Sequence, residues 1–123
     1  MSTRMTCSML AAALVAVALV LVGPAAAASK KLTGTVGPGH TIGLRMNGKK
    51  VTRLKAGVSY RLVVSDRSDE HDFRLVGPGV SRAVTGVEFI GTKSVLVKFR
   101  PGAYRFFCAP HADEMRGGFR AVR

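Results

Sequence analysis

An all-β sandwich is the fold this sequence predicts, and three observations carry it. Beyond the first 28 residues no stretch keeps a helical period. Short runs of alternating apolar and polar residues recur instead, and glycine-rich turns separate them.

The elements follow in order. Leu32 to Val36 is a first strand, closed by the turn Gly37-Pro38-Gly39. Thr41 to Met46 is a second, ended by Asn47-Gly48, a strong hairpin signal. Val51 to Leu54 is expected to answer it across that turn. Val58, Tyr60, Leu62 and Val64 share one parity and should face the core. His71, Phe73 and Leu75 form another inward row, as do Val95, Val97 and Phe99. Tyr104, Phe106 and Cys108 line up likewise, with Arg105 and Phe107 turned outward, and Gly117 to Val122 is the closing strand. Gly77 to Gly86 reads as a loop, and His40 as a turn residue.

The N-terminus has a different character. Arg4 precedes an apolar run from Leu10 to Val22, then Gly23-Pro24 and the small residues Ala25 to Ala28. That order reads as a secretory signal peptide over residues 1–28, cleaved after Ala27 or Ala28. An uncleaved anchor is the competing reading, since Met9 to Ala28 is long enough to cross a bilayer. Residues 29–123 then form one domain with a single core, exported to a periplasmic or extracellular compartment. Of the two cysteines, Cys7 leaves with the leader. Cys108 remains alone in an oxidising environment, where a metal ion would protect it from oxidation.

The chemistry concentrates in Cys108-Ala-Pro-His111-Ala-Asp-Glu-Met115. With His71, in Asp69-Glu-His-Asp-Phe73, the chain offers two imidazoles, one thiolate and one thioether. That set matches a trigonal His/His/Cys copper site with a weak axial Met. Pro110 stiffens the turn that returns His111 to the neighbourhood of Cys108. Zinc accepts His and Cys too, but a soft thioether favours copper.

Gly102-Ala-Tyr-Arg-Phe-Phe-Cys108-Ala-Pro-His111, followed by Met115-Arg-Gly117, resembles the C-terminal signature of plastocyanin and pseudoazurin, small blue copper proteins of the cupredoxin family. His71-Asp-Phe73 resembles that family's first-histidine segment. The resemblance implies a Greek-key sandwich of seven to eight strands and one type 1 copper ion. His71, Cys108 and His111 would be its strong ligands and Met115 its long axial one. Two features depart from the family pattern. The gap from His111 to Met115 is one residue shorter than in plastocyanin, and Asp72 stands where Asn is common. A buried Asp72 carboxylate would lower the copper potential, and Pro110 removes an N–H donor near the sulfur with the same sign of effect.

The chain carries 19 Lys and Arg against 7 Asp and Glu, a formal net charge of +12, of which only Arg4 falls in the leader. Such a charge calls for anionic partners, and the export signal argues against nucleic acid. Five of the seven carboxylates lie in the ligand segments, so a dipolar monomer is expected. Redox proteins would dock near its copper end, while the basic body contacts anionic membrane lipids or wall polymers. Arg67, Arg74 and Arg116 could instead cancel those carboxylates locally. The functional expectation is a one-electron carrier cycling between Cu(II) and Cu(I). A copper-binding or delivery module without redox turnover is the competing reading. Enzymatic activity is not expected, because three histidines and one retained cysteine leave nothing for a second copper centre.

Overall fold

A computed structural model describes residues 13–20 and 29–123. The leader expected over residues 1–28 lies outside the described residues except for 13–20, which form neither helix nor strand. Among the described residues no helix is long and apolar enough to cross a membrane.

Among the described residues, ten strands run in the order β1 (Lys30–Val36), β2 (Ile42–Met46), β3 (Lys49–Lys50), β4 (Arg53–Lys55), β5 (Ser59–Asp66), β6 (Phe73–Gly77), β7 (Val80–Thr85), β8 (Gly91–Lys98), β9 (Gly102–Phe107) and β10 (Arg116–Val122). They build two five-stranded sheets, β3-β2-β1-β5-β8 and β4-β10-β9-β6-β7. The all-β sandwich expected from alternation is the observed architecture. It has two strands beyond the seven or eight expected, β3 and β7.

Gly77 to Gly86, expected to be a loop, contains β7, an edge strand paired with β6 from Gly77↔Val80 to Phe73↔Thr85. Only one edge of this strand is paired, and a register shift between Phe73 and Arg74 breaks its alternation, which hid it from the sequence pattern. The hairpin at Asn47-Gly48 forms, with φ of 51° and 77° at its two corner residues. Its answering strand is Lys49–Lys50 rather than Val51 to Leu54. The chain then changes sheets, and Arg53–Lys55 pairs in parallel with β10.

The inward rows meet between the sheets. Leu32, Val36, Leu62 and Val64 from the first sheet face Phe73, Leu75, Tyr104, Phe106 and Phe119 from the second. Aromatic rings dominate the centre: Phe73 stacks on Phe106 at 5.7 Å and Tyr104 on Phe119 at 5.2 Å, with Phe99 edge-on to both Tyr104 and Phe119. The buried Tyr104 ring puts its hydroxyl within reach of the carbonyls of Arg100 (2.8 Å) and Pro78 (3.0 Å). That contact anchors the turn into β9, the strand that leads to Cys108.

Register decides which loops share an end. β1 and β5 are parallel, with Val36 opposite Asp66, so the turn after β1 and the segment after β5 emerge together. β9 ends and β10 begins at this same end, since Phe107 pairs with both Arg116 and Arg74.

Candidate metal centre

Three connections meet at that end: residues 37–41 after β1, residues 67–72 before β6, and residues 108–115 between β9 and β10. The last is a tight loop closed on itself. The Cys108 N–H donates to the Met115 carbonyl at 3.0 Å, the His111 N–H to the Cys108 carbonyl at 3.2 Å, and the Met115 N–H to the His111 carbonyl at 2.8 Å. Ala109–His111 forms a single 3₁₀ turn with Pro110 inside it, where the missing N–H breaks no bond. The loop's backbone thus satisfies itself without borrowing from the donor side chains.

The structure brings three of the expected donors to one point. His71 Nδ1 lies 3.0 Å from His111 Nδ1, and Cys108 Sγ lies 3.7 Å from each. Cys108 and Met115 are fully buried, His71 nearly so, and His111 is half-buried at the surface. With bonds of about 2.0 Å to imidazole and about 2.3 Å to thiolate, ligand atoms sharing one first-row ion stand about 3 to 4 Å apart. The observed triangle fits that requirement. Met115, the fourth expected donor, is fully buried at the far end of the same loop, tied to Cys108 and His111 through its backbone.

Asp72 ties the two ligand segments together. Its Oδ1 accepts from the Ala109 N–H at 2.7 Å, and its Oδ2 accepts from Arg74 Nε at 2.8 Å. The carboxylate is buried, while the guanidinium is about half exposed. Its charge is therefore countered at short range, which weakens the effect on potential expected from an unpaired carboxylate. Burial pushes the Cys108 thiol up, against the pull of the Asp72 and His111 backbone N–H groups. A bound cation reverses that preference, because thiolate is the ligand form.

His40 is the residue that sequence reasoning missed. It does sit in a turn, but the turn lies over the ligand loop. Its ring packs on that of His111 with centroids 4.3 Å apart, and its Nδ1 pairs with Glu114 Oε2 at 2.5 Å. The three histidines place a ligand atom each within 4.8 Å of one another. The half-exposed side chain of His40 sets it apart from the buried His71, and its pairing with Glu114 through Nδ1 leaves Nε2 as the atom it could offer an ion. Nothing in local spacing marks it, because Glu114 is 74 residues away. Strand register and the packing of the two sheets together bring His40 to Glu114.

These contacts also revise the expected acidic pole. Asp72 is paired with Arg74 and Glu114 with His40, so among the described residues Asp69, Glu70 and Asp113 of the five ligand-segment carboxylates have no such pair, nor has the buried Asp66 at the end of β5.

No protein-family model and no curated protein matches the chain. Solved structures do. Reduced rusticyanin is 20% identical with a TM-score of 0.55, over 75% of this chain and 78% of that one. Rusticyanin from Thiobacillus ferrooxidans is 18% identical with a TM-score of 0.54, over 75% and 76%. A reduced variant of amicyanin is 16% identical with a TM-score of 0.50, over 77% and 85%. Both are cupredoxins, and the likeness establishes that this chain has the cupredoxin fold.

Proposed function

We propose that this chain, on its cupredoxin fold, is a one-electron carrier holding a single copper ion through His71, Cys108 and His111, with Met115 as the long axial contact. The convergence of two imidazole nitrogens and one sulfur, 3.0 to 3.7 Å apart, carries the reading. Rusticyanin, whose fold it shares, is described as a copper protein. Copper, when bound, supplies the Cu(II)/Cu(I) couple.

The chain's own residues do the rest. The internal hydrogen bonds of residues 108–115 hold Cys108, His111 and Met115 in place, so the donors need not move when the charge of the site changes. Burial of Cys108 and Met115 keeps water from the sulfur ligands. His111 alone reaches the surface and gives electrons a short way in and out. Asp72 locks the His71 segment to the loop through the Ala109 N–H.

Delivery of copper to another protein fits this enclosure poorly, because two of the four donors are fully buried. The apolar run from Leu10 to Val22 supports export, with the leader ending near Ala28 and the domain working outside the cytoplasm. Redox proteins are the partners of such a carrier. The excess of Lys and Arg supports additional contact with an anionic envelope.

The test is a visible absorption spectrum of the exported protein with one equivalent of Cu²⁺, before and after ascorbate. An intense thiolate-to-copper band that bleaches and returns on reoxidation is expected, and Cys108→Ser should abolish it. A pale spectrum from the unaltered protein would sink the reading.

A further inference from the structure

Both sheets are basic, but they are basic in different ways. The strands of the first sheet carry six lysines and two arginines, with one buried carboxylate, Asp66. The strands of the second carry six arginines and one lysine, with no Asp or Glu at all. Arginine's planar fork binds carboxylates in bidentate fashion and is enriched in protein interfaces, where lysine is depleted.

On the outer face of the second sheet the arginines surround one aromatic ring. Phe107 pairs across the ladder with Arg116 of β10 on one side and Arg74 of β6 on the other. Arg105, two residues earlier on β9, lies over the same ring with its guanidinium carbon 5.8 Å from the centroid. A shallow groove of about 450 Å³ opens here, lined by Arg105, Phe107, Ala112, Arg116, Gly117 and Gly118. Residues 117 and 118 contribute no side chain, so the floor is bare backbone. Arg105 and Arg116 are exposed, and Phe107 is half-buried. Phe107 is covalently next to Cys108, the buried sulfur of the metal centre.

We propose that this face is the docking surface for an acidic one-electron redox protein, whose carboxylates engage Arg105 and Arg116 around Phe107. Arg74 adds to the rim, partly held by Asp72. An aromatic centre within an arginine rim is the composition of an energetic hot spot. The inference rests on the electron-carrier reading and names its partner. One electron passes between the partner's centre and the copper through the Phe107–Cys108 link, one site oxidised as the other is reduced, with no proton moved.

Two measurements separate this inference from its premise. In the first, the oxidised copper protein is mixed with reduced plant-type ferredoxin as the acidic donor. Arg105→Glu/Arg116→Glu should slow copper reduction about tenfold at low ionic strength and flatten its salt dependence. Arg45→Glu/Arg61→Glu makes the same charge change on the first sheet and should slow it less than about twofold. Equal slowing by both pairs would show that only net charge matters and would overturn the proposal.

The second measurement needs no copper. Poly-glutamate added to the ¹⁵N-labelled copper-free protein should shift the amides of residues 105, 107, 116 and 118. Shifts centred on the first sheet instead would overturn the docking face. A protein that maps as expected but shows no blue band would keep the face and lose the carrier.

Discussion

The two sheets share a core but divide the labour of the molecule. The second sheet delivers Cys108 from the end of β9 and Met115 at the start of β10, with His111 between them and His71 just before β6. The first sheet delivers none of the proposed ligands; its contribution at that end is the turn that lays His40 on His111. Packing differs between particular glycines of the two sheets. A Cβ added at Gly117 of β10 would lie 2.2 Å from the Phe106 ring, and one at Gly77 of β6 2.2 Å from Tyr104. At Gly43 of β2 the nearest atom is the Thr35 hydroxyl at 3.4 Å. The second sheet is filled to overlap where Gly117 and Gly77 meet aromatic rings; the first is tight at Gly34 of β1, whose Cβ would lie 3.0 Å from Val64, and open at Gly43.

The sharpest way to break this comparison is Gly117→Ala. Overpacking against Phe106 should destabilise the copper-free protein by about 1 to 3 kcal/mol in urea unfolding. A neutral result would mean that the second sheet yields there as easily as the first does at Gly43.

His40→Ala probes what the first sheet adds to the site. Copper extraction by a chelator should speed up about tenfold, because His111 loses the ring and the Glu114 pair that pin it. The melting temperature of the copper-free protein should hardly move. An unchanged extraction rate would reduce His40 to a bystander, and loss of the blue band would instead make it a ligand.

Asp72→Asn is a finer test within the second sheet. The side-chain oxygen can still accept from the Ala109 N–H, while the negative charge is gone, so the reduction potential should rise. Because Arg74 already counters the carboxylate, the rise should be small. No rise in voltammetry would mean that the pair is electrically silent at the metal. Smallest of all is Gly43→Ala on the first sheet, expected to change stability by less than about 0.5 kcal/mol. A larger loss would erase the contrast between Gly43 and Gly117.

Most of the architecture was legible in the chain because it depends on local rules. Alternation put Tyr60, Leu62, Val64, Phe73, Leu75, Tyr104 and Phe106 inside, and all are buried. Asn47-Gly48 announced its hairpin through the positive φ that such a turn requires. Edge strand β7 was not legible, since it pairs on one side only and a bulge disturbs its period. The crossing from β3 to β4 was equally hidden, because Val51 to Leu54 alternates in the same way whichever sheet it joins.

The site divides along the same line. Cys108, His111 and Met115 share a loop eight residues long, so their proximity follows from covalent spacing and needed no fold to establish it. His71 could be proposed from chemical type and inward parity, but its 3.0 Å approach to His111 depends on β6 pairing with β9. The role of His40 and the arginine ring around Phe107 required the tertiary structure altogether. The Asp72–Arg74 pair is local in sequence and only its burial is tertiary. The His40 contacts and the approach of Arg74 and Arg116 to Phe107 instead join distant residues, and such pairing is a long-range property that no local pattern encodes. By itself the sequence determined the class of fold and the kind of donor atoms. Only the folded chain decided which distant side chains brace those donors and which face is offered to a partner.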